Sequence, residues 1–360
     1  MKRFLFLAVF VPAGLVAQQT QQMTMSLDSL FQSYFKPGEP GGAVLLVKDN
    51  KMIYQHGFGI ADINTKEPIT TKTLFNIGSI SKTFVAYGIL NLAREGKLSL
   101  EDDLYKYFPD FKNPAIAKKV KLYHLLTHTS GIPDSRRVDE QREFYLTAKD
   151  AENFAPLRQT DTLQFEPGTK YKYSNPAFNG LALVIEKITG KKWQEYIKQL
   201  IFQPAGMKTS TITDGPHPES GVSHAYFVND KKQFEELDYG EEPTFAAAGN
   251  GGVWSSVEEL WKYEQAIQQH KFLSEEWIKR SRTVYPFPQW QDSIAQRLGL
   301  SWFINTNPRL MIGHTGSQGG FISDYCWWPE EKIFYVLLCN IPKPIQEIRG
   351  KAFELVKSVN

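Results

Sequence analysis

The apolar positions of this 360-residue chain place strands near both of its ends. Close to the start, the run Gly41–Lys48 is rich in valine and leucine, Asp49 and Asn50 supply turn residues, and Met52 opens a second β-rich run. The pattern predicts a hairpin that follows a helix over residues 26–35.

Strand patterns return in the last part of the chain. There we predict a closing helix over 344–359, preceded by strands over 299–304, 310–312, 321–328 and 333–339. The middle of the chain shows helical spacing and long loops, with helices predicted over 122–126, 176–188 and 193–201.

Strands at both ends with helices between them indicate the α+β fold class. We expect residues 18–97 and 245–360 to build one helix-flanked antiparallel sheet, and residues 98–244 to form a mainly helical insert. A substrate site is expected at the seam between these two parts.

The first 17 residues have the composition of a secretory signal peptide. Lys2 and Arg3 precede an apolar run from Phe4 to Val16, which ends at Ala17 before a polar stretch. The run is shorter than the ~20 apolar residues that span a bilayer, and the alternative for it is a buried N-terminal helix. We predict cleavage after Ala17 and a periplasmic or secreted protein without a membrane anchor.

Removal of this segment leaves a chain without net charge. The sequence has 41 basic and 39 acidic residues, and residues 1–17 contain two of the basic ones and no acidic one, which leaves 39 of each. Binding of nucleic acid requires an excess of lysine and arginine, so we expect no such partner. We expect a monomer that binds a small-molecule or peptide substrate.

The two cysteines, Cys326 and Cys339, lie in the last two predicted strands. If the turn between these strands pairs Trp328 with Ile333, the sulfurs are about four residue steps apart along the ladder, on the order of 13 Å. A disulfide needs Cα atoms within about 7 Å. We therefore predict two free, buried cysteines.

Three short segments carry side chains suited to catalysis. The first holds Ser79 and Lys82, at the start of a helix predicted from Ser79 to Glu95 and ended by Gly96. Their spacing puts both side chains on one face, one turn apart. A serine nucleophile needs an adjacent base, and a buried lysine beside the positive helix end can serve as one. The N–H groups at that end can also hold an oxyanion, although a single Ser-x-x-Lys pair is common on exposed helices.

The second segment is Tyr173-Ser174-Asn175. A tyrosine near cations can take a proton from serine and later pass it to a leaving group. Asn175 offers a donor and an acceptor to a substrate amide and to Lys82. The alternative is a structural role, with a buried tyrosine before a helix that Asn175 caps.

The third segment is His314-Thr315-Gly316-Ser317, within a glycine-rich stretch over residues 313–320. Glycines permit a ligand to approach an edge strand closely, and such a strand can hold an extended substrate by backbone hydrogen bonds. The Ser317 N–H is then the second oxyanion donor. The alternative is a glycine-rich turn with a surface histidine.

In this order the three segments resemble the serine β-lactamase and penicillin-binding protein superfamily, closest to its class C β-lactamase and DD-peptidase branch. Further stretches that resemble this branch extend over nearly all of the chain after residue 17, among them Phe75–Phe84, Leu125–Pro133, Pro204–Met207 and Ala248–Ser256. The resemblance implies an acyl-enzyme on Ser79 in a site between a helix-flanked antiparallel sheet and a helical domain. It implies that Lys82 and Tyr173 share the role of base, without deciding which of them takes the serine proton.

One position departs from the class C pattern, which usually has lysine where this chain has His314. A histidine there resembles the DD-peptidases, D-aminopeptidases and esterases of the branch. Histidine is mostly neutral at pH 7, so a substrate carboxylate is held less strongly. Arg297 and Arg309, which flank the preceding strand, are candidates to supply the missing charge.

From these observations we expect a hydrolase that acts on D-alanyl peptides, as a DD-carboxypeptidase or D-aminopeptidase, or on esters. The alternatives are a class C-like β-lactamase that hydrolyses β-lactam rings and a penicillin sensor that is acylated without turnover. The chain lacks the Gly-x-Ser-x-Gly turn of an α/β-hydrolase. His124 and His128 have the spacing of helical metal ligands, but no glutamate follows His124. We expect neither a metal nor a cofactor.

Overall fold

The computed structural model describes residues 13–137, 140–141, 148–212, 221–236, 248–288 and 297–357, and these form the predicted α+β structure. The strands are β1 Gly42–Lys48, β2 Lys51–Phe58, β3 Phe75–Asn76, β4 Thr211–Ile212, β5 Tyr226–Val228, β6 Phe234–Glu236, β7 Val253–Ser255, β8 Phe303–Asn305, β9 Met311–Gln318, β10 Phe321–Trp328 and β11 Ile333–Cys339.

Most of the helices lie between β3 and β8 in the chain. The α-helices are α1 Ala13–Tyr34, α2 Ser81–Arg94, α3 Leu104–Tyr107, α4 Pro114–Lys119, α5 Leu122–Leu126, α6 Asp150–Arg158, α7 Asn175–Thr189, α8 Trp193–Ile197, α9 Gln203–Ala205, α10 Val257–Gln268, α11 Glu275–Ser281 and α12 Ile345–Lys357. A 3₁₀ turn over Gly78–Ile80 leads into α2, and a π-helical segment over Lys198–Phe202 continues α8.

Six strands form one antiparallel sheet in the order β2-β1-β11-β10-β9-β8, so the first two strands of the chain join the last four. Successive side chains of β1 alternate between the faces of the sheet. Val44 and Leu46 belong to the core under α1 and α12, whereas Leu45 belongs to the larger core on the helical side. On that side α10 packs on β11 through Trp261 and Phe334.

The predicted register of the last two strands is confirmed. Trp328 pairs with Ile333, and Cys326 and Cys339 lie opposite other residues rather than each other. Both cysteines are free and buried, as predicted.

The opening hairpin is also present, with Asp49 and Asn50 at φ values of 49° and 61° in its turn. These positive values are tolerated by aspartate and asparagine, and they suit the twist of a two-residue hairpin turn. Gly96, at φ 70°, ends α2 as expected.

Several element limits differ from the prediction. The strand expected from residue 299 begins at Phe303, because Ser301, at φ 69°, turns the chain and Leu298 bridges to Phe303. The strand expected over 310–312 continues to Gln318, because the glycine-rich segment pairs residue by residue with β10. The periodicity did not indicate this extension, since Gly and Ser are not strand-forming residues.

The helix predicted over 26–35 begins earlier, at Ala13. Residues 1–12 of the predicted signal segment lie outside the described residues, and cleavage after Ala17 stays a prediction. None of the helices in the described ranges is both long and apolar enough to cross a membrane.

A small sheet, β3-β7-β4, connects the large sheet to α2. The residue after β3, Ile77, donates its N–H to the Val253 carbonyl at 3.0 Å and accepts from the Ser323 hydroxyl at 2.8 Å. These two bonds hold the start of the Ser79 turn against β7 and β10 at the same time.

Candidate active site

Ser79 lies in the 3₁₀ turn that begins α2, directly beside β9. Gly78, which precedes it, has φ 52° and donates its N–H to Asn76 Oδ1 at 2.8 Å. A Cβ on Gly78 would lie 2.7 Å from the backbone nitrogen of Ser317. The glycine is therefore required both by its left-handed backbone and by the close approach of β9.

Lys82 is buried one turn after Ser79, as the spacing predicted. Its Nζ lies 3.0 Å from Ser79 Oγ and donates to the Asn250 carbonyl at 2.6 Å. Burial, assisted by the positive charge of Arg136, holds the pKa of Lys82 well below its usual value. A lysine with a depressed pKa is present as a neutral amine over a wider pH range, and a neutral amine can accept a proton.

Tyr173, in the segment before α7, contacts Ser79 as well. Its hydroxyl is hydrogen-bonded to Ser79, and its ring centroid lies 5.1 Å from Lys82 Nζ. Burial raises the pKa of Tyr173 well above 10, with a smaller opposing effect from the bond to Ser79. Both partners of the serine are thus disposed toward their neutral forms, Lys82 as an amine and Tyr173 as a phenol.

Asn175, the first residue of α7, lines the pocket in front of Ser79. We expected it to bond with Lys82 as well. In the described part of the chain, however, the hydrogen bonds of Lys82 go to Ser79 and to the Asn250 carbonyl. The Asn175 side chain is placed to meet a substrate rather than the lysine.

The third predicted segment forms the open part of β9. Strand β8 pairs with β9 only as far as Gly313, whereas β10 pairs with it as far as Gln318. Thr315, Gly316 and Ser317 therefore have one strand neighbour among the described residues and present their other edge to the pocket. A Cβ on Gly316 would lie 2.1 Å from the Ile77 carbonyl, so this glycine lets β9 lie against the serine turn.

His314 is buried on β9, and its Nδ1 lies 2.6 Å from the Thr315 carbonyl. Because a carbonyl only accepts, Nδ1 carries the proton. Burial, and then the charge of Lys82, lower the pKa of His314 to about 3. The imidazole is therefore neutral across the physiological range, and this position contributes no positive charge to the site.

The two arginines suggested as replacements for that charge lie elsewhere, and this suggestion was wrong. Arg309 pairs with Glu331 at 3.0 Å and stacks on Phe353, and neither it nor Arg297 lines the pocket. The cations that do line it are Lys343 and Arg349, just before and within α12. Closeness to β9 in sequence misled here, because α12 packs on one face of the sheet and so brings Arg349 beside Asp324 of β10.

The pocket has a volume of about 650 Å³ and extends from Ser79 across the open edge of β9 to α12. It is lined by Ser79, Tyr171, Tyr173, Asn175, Phe303, Met311, Gly313, His314, Thr315, Gly316, Ser317, Ile322, Cys326, Lys343, Ile345, Gln346 and Arg349. Among these described residues the charged side chains are both basic. Nη1 of Arg349 donates to Asp324 at 2.8 and 3.1 Å and to Cys326 Sγ at 3.3 Å. Its Nε and Nη2 donate no hydrogen bond to the described residues.

A comparison with known protein families agrees with this geometry. A family model described as Beta-lactamase matches residues 18–357. The chain belongs to the beta-lactamase family. It is a serine hydrolase of the β-lactamase/DD-peptidase type.

Individual members of the beta-lactamase family are similar over most of this chain. Penicillin-binding protein 4* of Bacillus subtilis is 28% identical over 320 residues, which cover 84% of this chain and 68% of that protein. A D-aminopeptidase of Brucella anthropi is 28% identical over 338 residues, covering 89% and 60% respectively. This chain thus spans about two thirds or less of the length of these two relatives.

Solved structures of this fold include two penicillin-binding protein relatives. The octameric homologue from Pyrococcus abyssi has a TM-score of 0.75 and 26% identity, covering 96% of this chain and 77% of that one. The penicillin-binding protein from Bacillus halodurans has a TM-score of 0.78 and 24% identity, covering 91% and 98%. The D-amino acid amidase from Ochrobactrum anthropi shares the fold at a TM-score of 0.75 and 21% identity, covering 95% and 98%.

Three groups at the site of this beta-lactamase-family chain had not been singled out from the sequence. They are the Asn250 carbonyl on Lys82, the His128 ring on Tyr173, and Arg349 in the pocket. Asn250 and His128 lie in stretches that resemble the family, so that resemblance was the available signal. No pattern indicated Arg349, since its place follows from how α12 packs.

Proposed function

We propose that this chain is an exported hydrolase that cleaves an amide or ester bond through an acyl-enzyme on Ser79, in substrates that carry a carboxylate near the scissile bond. D-alanyl peptides with a free C-terminus are the leading candidate, and β-lactams, which share the carboxylate, are the second. The observation that carries the proposal is the contact of Ser79 with a lysine and a tyrosine that are both biased toward neutrality.

In the proposed acylation, the neutral amine of Lys82 takes the proton of Ser79 Oγ, which lies 3.0 Å away. The serine oxygen attacks the substrate carbonyl carbon, and the N–H groups of Ser79 and Ser317 hold the oxyanion. The Tyr173 phenol then gives its proton to the leaving nitrogen or oxygen and regains one from the Lys82 ammonium. The acyl-enzyme therefore forms with both Lys82 and Tyr173 neutral again.

Deacylation follows the same route in reverse. A water beside Tyr173 loses its proton through the phenol to Lys82 and attacks the ester carbonyl. Collapse of the second tetrahedral intermediate returns the proton to Ser79. Under this assignment Lys82 is the base and Tyr173 relays protons. The lowered pKa of Lys82 and the raised pKa of Tyr173 favour these two roles.

The charges around the pocket support a substrate with a carboxylate. Lys343 and Arg349 are the charged side chains among its described lining residues, and no described lining residue is acidic. Asp324, the carboxylate beside these cations, is buried and already bound to Arg349, and Lys343 donates to the Tyr34 carbonyl. A substrate ammonium would therefore lose its hydration without gaining an acidic partner from the lining, at a cost of several kcal/mol. The pocket therefore favours peptides with a free carboxylate over amino acid amides with a free amine.

The first experiment is intact-mass analysis during incubation with a penicillin, together with absorbance of the lactam. Slow lactam loss with a lasting adduct on Ser79 would support a DD-peptidase, and fast loss without an adduct would support a β-lactamase. Turnover of a D-alanyl-D-alanine peptide is compared with that of D-alanine amide, and Ser79→Ala is the control in each assay. Preference for the amide would contradict the carboxylate assignment, and acyl transfer by Ser79→Ala would contradict the mechanism.

Export is tested separately. The native chain is expressed in a Gram-negative host, fractionated, and its N-terminus is sequenced. We expect periplasmic protein that begins at Gln18. Cytoplasmic protein that retains Met1 would refute export without affecting the chemistry.

A further inference from the structure

His128 touches Tyr173 and the backbone on both sides of it. The His128 carbonyl accepts from the Lys172 N–H at 2.9 Å, and the ring Nδ1 accepts from the Ser174 N–H at 3.0 Å. Between these two bonds, the imidazole stacks on the phenol with ring centroids 4.2 Å apart and an angle of 25°. One residue thus contacts the Tyr173 ring and binds the backbone N–H groups of the residues before and after it.

The arrangement extends from Tyr173 into α7. The Ser174 hydroxyl accepts from the Ala177 N–H at 3.3 Å and caps the helix, while the N–H of Ser174 is bound by His128. The His128 ring also contacts the ring of Phe178, with centroids 5.2 Å apart. The tyrosine is therefore held between a helix start and a buried imidazole.

His128 occupies this place at a cost to stability. Its backbone has φ 56°, and a residue other than glycine in that conformation costs about 1–2 kcal/mol. Since Nδ1 accepts, Nε2 carries the proton, and Nε2 is buried without a hydrogen-bond partner among the described residues. An unpaired buried donor costs a further 1–3 kcal/mol, roughly. Costs of this kind are concentrated at functional sites.

The ring is electrically neutral. Burial, followed by the charges of Lys82 and His314, holds the pKa of His128 well below 6.5. A neutral ring can cover one face of Tyr173 without placing a second cation beside Lys82. It also keeps water from that face.

We propose that His128 is a positioning residue that holds the Tyr173 hydroxyl at Ser79, an inference that rests on the proposed function. Loss of the imidazole removes the support on one face of the tyrosine ring, whereas the backbone bond from the Lys172 N–H remains. A misplacement of about 1 Å in a group that transfers protons costs on the order of 100-fold in rate. Binding of substrate along β9 does not depend on this contact, so KM changes little.

His124 provides a matched control in the same stretch of chain. It is also buried, and its Nδ1 accepts a backbone N–H, from Lys121, at 2.9 Å. Its ring contacts Tyr123 rather than Tyr173. Replacement of either histidine by asparagine keeps an acceptor at the first ring position and removes the ring, and asparagine also tolerates the positive φ of residue 128.

The test compares His128→Asn and His124→Asn with the wild-type chain in kcat, KM and the basic limb of the pH profile. Tyr173 donates as a phenol, so turnover is lost as the pH rises through its pKa. Burial holds that pKa well above 10 in the wild-type chain, so a lowered pKa shows as a loss of turnover at alkaline pH that the wild type does not have. The titratable groups around it are Lys82, Tyr171 and the histidines 128 and 314, and its hydroxyl is bonded to Ser79. Water at the uncovered face lowers the pKa of Tyr173, which moves the basic limb to lower pH.

We expect His128→Asn to lose about 30- to 100-fold in kcat, with KM within about twofold and the basic limb shifted to lower pH. His124→Asn should keep the wild-type kcat and limb. His128→Gly, which removes the ring and suits the positive φ of this residue, should lose rate and shift the limb in the same direction, and it replaces the asparagine variant if that one does not fold.

Equal losses of kcat at positions 124 and 128 with an unmoved limb would overturn the positioning role. So would a wild-type kcat in His128→Asn. Ser79→Ala is measured alongside, since turnover that survives in that variant overturns the proposed function and not the contact between His128 and Tyr173.

Discussion

The replacement Gly78→Ala tests the closest contact in the site. The added Cβ would lie 2.7 Å from the Ser317 nitrogen and 3.2 Å from the Gly316 carbonyl carbon. Both are backbone atoms of β9, so no side chain can rotate away to make room. To restore an ordinary separation of ~3.5 Å, β9 and the serine turn must move apart by about 0.8 Å.

That displacement removes the Ser317 N–H from the oxyanion. Such donors act within a narrow distance range of about 2.7–3.1 Å, and loss of one costs roughly 10²–10³-fold in kcat. The left-handed backbone of residue 78 adds a loss of stability of about 1–2 kcal/mol. We therefore expect a folded protein with a large loss of turnover.

Gly96→Ala is the matched control. Gly96 has a similar φ of 70°, lies at the opposite end of α2, and has no heavy atom within 4 Å of its added Cβ. It should lose about 1–2 kcal/mol of stability with an unchanged kcat. The assays are denaturant unfolding and the rate of Ser79 acylation by a penicillin, followed by intact mass. An acylation rate in Gly78→Ala within about threefold of that in Gly96→Ala would refute the reasoning.

Four further predictions concern buried polar groups. Lys82→Met should abolish acylation while raising stability at pH values below the unfolded lysine pKa of about 10.4. Below that pH, Lys82 in the unfolded chain binds a proton that burial disfavours in the fold. Lower stability than wild type in urea unfolding at pH 7 would contradict this. For the same reason wild-type turnover should fall as the pH drops through the depressed pKa of Lys82, and a profile that falls already between pH 10 and 9 would show an unperturbed lysine. Asp150→Ala should cost about 3 kcal/mol or more, because it leaves the Gly249 N–H and the Trp193 indole N–H unpaired. It also removes one of the two acceptors of the Asn179 amide and loosens the segment whose carbonyl binds Lys82. Unfolding and acylation rates measure both effects, and a loss under about 1 kcal/mol would contradict the prediction. A thiol titration should find two reactive cysteines after denaturation without reductant and none in the folded protein, and a lack of thiols in the denatured chain would indicate a disulfide.

Local patterns were sufficient for much of the fold. The register of β10 with β11 follows from turn chemistry and alternation, and it correctly separated Cys326 from Cys339. The helix after Ser79 and its end at Gly96 follow from helical spacing and a left-handed glycine. These features depend on residues within about ten positions of one another, where backbone geometry limits the alternatives.

Local patterns failed where strand propensity or closeness in sequence was a poor guide to contacts. The extension of β9 through Gly316 to Gln318 runs against strand propensity, and it exists because β10 supplies the hydrogen bonds. Lys82 was predicted to contact Asn175, but it donates instead to the Asn250 carbonyl, which is 168 residues away in sequence. The charge sought at Arg309 is already paired with Glu331.

Sequence established the chemical inventory of the site: a serine with a lysine one turn later, a tyrosine, and a glycine-rich strand, in an order that resembles one superfamily. It determined these because each motif is a short run whose spacing sets its geometry. The protonation of Lys82, Tyr173 and His314 came from folding, since it depends on how completely distant segments exclude water from them. The position of Arg349 beside the pocket likewise came from the packing of α12 on the sheet, which no local pattern encodes.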